Sequence, residues 1–332
     1  MNGDFRYGMM LQLGNNMWQD ELQRVEGATE YQLARVPKPY LDTDEDVWRE
    51  TTDACAAAGI NLLLMDLGEG IVYPSHPELS VRGSWEPDKL RAELKRLRAM
   101  GLEPIPKCNF SCGHDSWLKE YHRMVSTPEY YKVCSDIIRD VSELFDRPRL
   151  FHIGYDEETA KNQRGLAFLC IRQGELWWHD FLWFVKTVED CGMRPWMWSD
   201  FMWHHHDEFL SRCPKSVMQS NWYYYKWFEK EKMPEGVWNY FQCSLDLDKA
   251  GFDQIPCGSN WFYRPPAEYP WTAKDYPRNV ENIPGWAKFC RENLSEEHYH
   301  GFLCAPWCGT KPKDRPHLRE AIGLMREEVR RG

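Results

Sequence analysis

The stretch Ala58-Gly59-Ile60-Asn61-Leu62-Leu63-Leu64-Met65-Asp66 holds a helix end, a turn and an apolar strand that closes on a carboxylate. Glycine takes the left-handed conformation that ends a helix at low cost, and the apolar run after it has the length of a buried strand. The same design recurs at Met100-Gly101-Leu102, Cys191-Gly192-Met193 and Ala250-Gly251-Phe252. Each places glycine just past a helical segment and an apolar residue at the start of a strand. A chain that repeats this pattern is building β/α units around a parallel sheet.

Outward from there, strand-like runs fall at Tyr7–Leu13, Ile60–Asp66, Glu103–Asn109, Arg149–Tyr155, Arg194–Ser199, Val217–Trp222, Asp253–Ser259 and Gly301–Ala305. Helical patterns lie between them at Asp44–Ala58, Pro87–Met100, Pro128–Phe145, Gln173–Cys191 and Glu281–Asn293, and Arg315–Arg330 closes the chain. Thr127-Pro128 reads as an N-cap followed by proline at the first helical position. Eight units predict an α/β fold, a single (β/α)8 TIM barrel over residues 1–332 with no linker or second domain. Lys226–Gly251 is aromatic and irregular, which leaves the seventh unit the least defined. Arg264–Arg278, rich in Pro and Tyr, reads as a long functional loop or lid.

The net charge is -10 with no long basic run, which argues against nucleic acid and anionic membrane surfaces as partners. The apolar runs are too short to span a bilayer. A native start at Met1 implies a cytoplasmic protein; a trimmed signal peptide would imply secretion or the periplasm. The 12 cysteines are scattered among apolar residues without a zinc-type C-x-x-C pair, as expected of buried free thiols in a reducing compartment. Tryptophan is unusually abundant, at 17, and many of these residues sit where strands end. Flat apolar rings bind the C–H faces of sugars and commonly line pockets; a Trp-rich core accounts for the others, Trp177, Trp178 and Trp183 at helical spacing among them.

In a barrel of this kind the chemistry sits at the C-terminal ends of the strands. There the fourth strand runs Phe151-His152-Ile153-Gly154-Tyr155-Asp156-Glu157-Glu158. Adjacent carboxylates at the mouth of a fold are costly unless used or paired. Other strand ends add Asn15, Asn16, Asp66, Glu69, Asn109, His114, Trp198, Asp200, Trp222, Tyr223, Trp261 and Trp307. The result is a cup of carboxylates and aromatics with few cations, unsuited to a phosphorylated substrate. Glycoside cleavage needs a proton donor and a stabiliser of the cationic sugar. Glu157, partly desolvated beside a second carboxylate, fits the donor, with Asp156 as its partner. Glu158 is expected to point away or cap the next helix.

The run His152-Ile153-Gly154-Tyr155-Asp156-Glu157 resembles the H-x-G-G-D-E signature of glycoside hydrolase family 20, the β-N-acetylhexosaminidases. Leu64-Met65-Asp66 resembles that family's second strand, and Ile105-Pro106 through Gly113-His114 its third. Trp198-Ser199-Asp200, Asn221-Trp222-Tyr223 and Cys304-Ala305-Pro306-Trp307 resemble its later aromatic segments. The resemblance implies substrate-assisted retention on a β-linked 2-acetamido sugar, without cofactor or metal. Glu157 would be the acid/base and Asp156 would orient the acetamido group. Trp198, Trp222 and Trp307 would wall the sugar, Tyr223 would hold the acetamido oxygen, and Asp66, His114, His152, Asp200 and Trp261 would complete the substrate site. Several positions depart from the family. Tyr155 replaces the second glycine of the signature, placing a bulky ring near the acid. The strand-one Arg has no counterpart in Met9–Asn16, an Asp is lost at Tyr225 and a final Glu at Gly309. These losses imply altered specificity. The alternatives are a barrel glycosidase for a different sugar and a catalytically weak glycan-binding protein. Oligomeric state is open.

Three further signals have two readings each. His204-His205-His206-Asp207 is either a metal site supporting a hydrolase or a polar loop at the barrel mouth. Cys108, Cys112 and His114 form a weaker metal pattern. His152 is either a satisfied core histidine or a group that orients the acidic pair, and Asp66 either binds a hydroxyl, supports the site or caps a helix.

Overall fold

A computed structural model of the chain describes residues 5–21, 35–234, 236–261 and 279–332. The Arg264–Arg278 segment read as a lid lies outside the described residues. In chain order the elements are β1 (Arg6–Gln12), α1 (Glu45–Ala57), β2 (Leu62–Asp66), α2 (Pro87–Ala99), β3 (Glu103–Lys107), α3 (Pro128–Leu144), β4 (Leu150–His152), α4 (Ala160–Gln163), α5 (Glu175–Asp190), β5 (Arg194–Trp198), α6 (His206–Arg212), β6 (Met218–Ser220), α7 (Val237–Lys249), β7 (Cys257–Gly258), α8 (Asn282–Asn293), β8 (Gly301–Cys304) and α9 (Arg315–Arg331).

All eight strands are parallel, in the order β6-β5-β4-β3-β2-β1-β8-β7. Parallel bridges Gln219–Gln254 and Trp222–Cys257 join the two ends, so the sheet closes into the expected (β/α)8 barrel. The predicted punctuation holds. Gly59, Gly101, Gly192 and Gly251 all have φ between 77° and 83°, each at the turn between a helix and a strand. Asp44 caps α1 by accepting the Val47 amide, and Thr127 caps α3 ahead of Pro128.

Period-two alternation sorts the strand side chains into two packed layers. Met10, Leu64, Ile105, Leu150, Trp196 and Met218 face into the barrel. Their neighbours pack outward against the helices, in the larger core that includes Trp177, Trp178, Phe181 and Phe184. Two residues further along β1 to β4 the inward layer turns polar. Gln12, Asp66, Lys107 and His152 stand in one register row across β1 to β4 and form the floor of the mouth. All 12 cysteines are unpaired, ten of them buried. Among the described residues no helix is long and apolar enough to cross a membrane.

Candidate active site

The acidic pair is held by a backbone that leaves the strand conformation just after β4. Gly154, Tyr155 and Glu157 have φ of 72°, 72° and 56°. Left-handed φ is costly for Tyr and Glu, so the surrounding contacts must enforce it. At Gly154 a Cβ would overlap the Asn109 side chain, so the position has room only for glycine. Asn109 is the hub of this turn. Its Oδ1 accepts the Ser111 and Tyr155 amides at 3.0 and 3.3 Å, and its Nδ2 donates to Asp156 Oδ1 at 2.9 Å.

Tyr155 does not crowd the acid, contrary to the sequence reading. The turn sends its ring outward into the helix layer, against Trp177, Phe181 and Phe184, with the Arg172 guanidinium 4.4 Å from its centroid. Glu158 points away as expected. It is paired with buried Arg172 and accepts the Cys112 amide at 3.0 Å. Arg172 also donates to the Phe110 carbonyl at 2.8 Å, tying the β3 and β4 loops together.

Asp156 and Glu157 are left facing a cavity of about 450 Å³. His114, Trp222, Trp261 and Trp307 line it with them, as expected, together with Trp18, Arg35, Lys107, Asn109, Arg164 and Tyr224. His114 Nε2 lies 3.1 Å from Glu157 Oε2 and 3.6 Å from Asp156 Oδ2. Burial opposes charging of that imidazole, but the two carboxylates outweigh it and raise its pKa above the ordinary value. The Glu157 side chain is 37 % exposed, open to the cavity and partly desolvated.

Asp200 sits behind the pair. Its Oδ2 accepts the Glu157 amide at 2.9 Å and its Oδ1 lies 3.4 Å from Trp222 Nε1. Burial and the charge of Asp156 push its pKa up to about 8, against the pull of the Glu157 N–H. Asp200 is therefore mostly a neutral acid at pH 7.

Several expected site residues occupy other places. Tyr223 is fully buried among Phe241 and Trp286, and its hydroxyl donates to the Trp227 carbonyl. Adjacent residues of an extended segment face opposite ways, so Trp222 and Tyr223 do not share the cavity. Tyr224 takes the inward place and stacks on Trp222 at 5.1 Å. Trp198 and His152 lie in the barrel interior beneath the site, with ring centroids 4.5 Å apart. His152 Nδ1 accepts the Gly154 amide at 2.9 Å, and burial drives its pKa well below the ordinary value, so it is a neutral core imidazole that supports the signature turn. Asp66 is buried under the site in a 2.7 Å ion pair with Lys107. Asn15, Asn16 and Glu69 form a clasp between loops: the Glu69 carboxylate accepts both asparagine amides, and burial lifts its pKa to about 7.

Cations are the main omission of the sequence reading. Lys107 reaches the cavity floor, and Arg35 lies at the mouth, 5.0 and 5.6 Å from the Trp18 and Trp261 rings. Lys107 was legible as the residue two beyond inward-facing Ile105; Arg35 comes from a loop and left no periodic signal. The histidine run does not converge on an ion. His206 bonds Asp207 and Asp246 at the surface, and His205 stacks on Phe201. Among the described residues one group brings three potential ligand atoms together, within 4.8 Å: His114, Asp156 and Glu157 themselves. Cys108 and Cys112 do not join it.

The chain matches no family model and no curated protein. Solved structures resemble its fold. One is a family 20 exo-β-N-acetylglucosaminidase from Vibrio harveyi in complex with N-acetylglucosamine, at 14% identity and a TM-score of 0.61 over 96% of this chain and 54% of that one. Another is the Streptomyces plicatus N-acetyl-β-hexosaminidase, at 12% identity and 0.61, over 96% and 63%. A third is the Flavobacterium johnsoniae chitobiase, at 17% identity and 0.58, over 87% and 48%. This chain spans between about half and two thirds of their lengths, and at these identities the likeness is one of fold.

Proposed function

We propose that the chain is a glycoside hydrolase that cleaves a β-linked 2-acetamido sugar with retention, using the substrate's own acetamido group. The observation that carries this reading is the pair Asp156 and Glu157, presented side by side to one tryptophan-walled cavity and held from separate strands. Fold likeness to structures described as β-N-acetylglucosaminidases and hexosaminidases supports it.

Glu157 protonates the glycosidic oxygen as the bond to the anomeric carbon breaks. His114 holds its Oε2, which leaves Oε1 for the leaving group. The acetamido oxygen attacks the anomeric carbon to form an oxazolinium. Asp156, its Oδ1 fixed by Asn109, accepts the acetamido N–H through Oδ2 and stabilises the positive charge. Glu157, now a carboxylate, takes a proton from water as that water displaces the acetamido oxygen. Trp222, Trp307 and Trp261 provide apolar faces for the sugar. Tyr224, rather than Tyr223, supplies a phenol at the cavity wall.

The test is hydrolysis of aryl β-N-acetylglucosaminide and β-N-acetylgalactosaminide by wild type, Asp156→Asn and Glu157→Gln. Losses of about 10²–10⁴-fold in kcat for Glu157→Gln are expected. Sugar binding without turnover would favour the glycan-binding alternative, and turnover restricted to sugars lacking the acetamido group would favour a different specificity. The His114–Asp156–Glu157 cluster gives one second reading, a metal-assisted hydrolase. A rate abolished by chelator and restored by a divalent cation would select it.

A further inference from the structure

The floor of the cavity carries hydrogen-bonding capacity that the fold does not use. Lys107 is the end of β3, with its side chain 1 % exposed, yet it lines the same cavity as the acidic pair. An ammonium has three N–H donors. One goes to Asp66 Oδ2 at 2.7 Å, and the ammonium makes no other hydrogen bond among the described residues. Its partner is equally under-bonded: Asp66 Oδ1 is buried without a hydrogen bond, as is Nε2 of Gln12, its neighbour in the register row. A buried ion pair kept only for stability gains little over apolar residues of the same volume, and it needs its remaining donors and acceptors satisfied. Here, among the described residues, the two remaining donors of Lys107 are free at the edge of a cavity lined by tryptophans.

We propose that Lys107, backed by Asp66, is the specificity-determining residue that binds one ring hydroxyl of the sugar in the cleavage site. The inference rests on the glycosidase reading above and deepens it. The ammonium and carboxylate are close to neutral as a unit. A neutral hydroxyl, able to accept from Lys107, therefore suits the pair better than a sulfate or carboxylate substituent. β1 carries no arginine at its C-terminal end to do this work, and Lys107 brings a cation to the same floor from two strands away. An ammonium makes point contacts where a guanidinium makes a planar fork, so the contact is specific to the hydroxyl it reaches and does not clamp two at once.

The experiment is calorimetric titration of wild type and Lys107→Met with N-acetylglucosamine and its 3-deoxy and 4-deoxy analogues. Binding is read without turnover, so the result does not depend on catalysis. Wild type is expected to lose about tenfold in affinity when the contacted hydroxyl is removed; that is about the value of a hydrogen bond to a charged group. Lys107→Met is expected to lose a similar factor for the parent sugar and to bind the parent and the deoxy analogue alike. A Lys107→Met/Asp66→Leu double variant, which leaves no buried charge unpaired, gives the same comparison should the single variant not fold. Equal deoxygenation penalties in wild type and variant would overturn the inference and leave the glycosidase reading standing. Failure of wild type to bind any of the three sugars would overturn the inference, and the glycosidase reading would then be decided by the aryl glycoside assay alone.

Discussion

Asp200→Asn should stabilise the protein at neutral pH, by an amount that grows with pH. Asp200 is buried, accepts the Glu157 amide, and has its pKa raised from 3.8 to about 8 by burial and by Asp156. Below about pH 4 the carboxyl is protonated in both the folded and unfolded chains, and ionisation costs nothing. Between about 4 and 8 the unfolded chain releases the proton while the folded chain keeps it. Stability then falls with rising pH, by up to about 1.4 kcal/mol per pH unit. At pH 7 the accumulated cost is of order 4 kcal/mol, and above about pH 8 it grows no further. Asparagine resembles the neutral acid, keeps an oxygen for the Glu157 amide and cannot ionise. The difference in unfolding free energy between Asp200→Asn and wild type, from urea titrations at pH 5, 6 and 7, should therefore climb by about 1 kcal/mol per unit. Other titrating groups are common to both proteins and cancel. A difference that stays flat across this range would refute the reasoning, whatever its size at one pH. The same ionisation should appear in catalysis. Above about pH 8 Asp200 gains a negative charge against the Glu157 amide, so the part of the alkaline fall of the wild-type rate that follows Asp200 should be absent from Asp200→Asn.

Gly154→Ala should lower the thermal midpoint sharply, by the equivalent of 3 kcal/mol or so, because φ is left-handed and the new Cβ overlaps Asn109; circular dichroism melts would check it. Arg172→Met should cost about 3–5 kcal/mol in denaturant titrations by leaving Glu158 buried and unpaired. Tyr224→Phe should lower kcat/KM on the aryl glycosides, whereas Tyr223→Phe should cost about 1 kcal/mol of stability and leave kcat/KM unchanged.

Most of the barrel was legible because two periods and a set of helix-ending glycines agree with each other. The helix expected at Pro128–Phe145 is observed at Pro128–Leu144, and that at Pro87–Met100 at Pro87–Ala99. Strand ends were read too long. Arg149–Tyr155 shortens to Leu150–His152 because the left-handed turn at Gly154 and Tyr155 breaks the extended run, and no local propensity announces φ > 0 at a tyrosine. In the seventh unit Asp253–Ser259 reduces to Cys257–Gly258, the part that keeps a ladder with β8. At the site, Asp156, Glu157, His114, Trp222, Trp261 and Trp307 could be found from motif and position. Tyr223 was misplaced by following a motif where parity decides: with Met218 inward, Trp222 and Tyr224 follow and Tyr223 cannot. Lys107 was missed for the converse reason, since its type argued for solvent while its parity placed it inside.

The construction of the Asp156–Glu157 turn bears on whether the site catalyses or only binds. Left-handed φ at Tyr155 and Glu157 costs of order 1–3 kcal/mol each. The fold meets that cost with contacts from several directions: Asn109 on Asp156, His114 on the Glu157 carboxylate, Asp200 on the Glu157 amide and Arg172 on both Tyr155 and Glu158. A surface that merely recognises glycans needs aromatic faces and a few polar contacts, which Trp222, Trp307 and Lys107 already offer. It has no use for two carboxylates fixed in a strained turn with a neutral acid buried behind them. Such an arrangement is useful where one carboxyl must meet a proton in flight while its neighbour stabilises charge that exists only in the transition state. The strain thus favours the hydrolase over the binding protein. It also points to the decisive comparison: Asp156→Asn and Glu157→Gln should abolish turnover while keeping sugar affinity within a few-fold, whereas in a binding protein either change would alter affinity and nothing else.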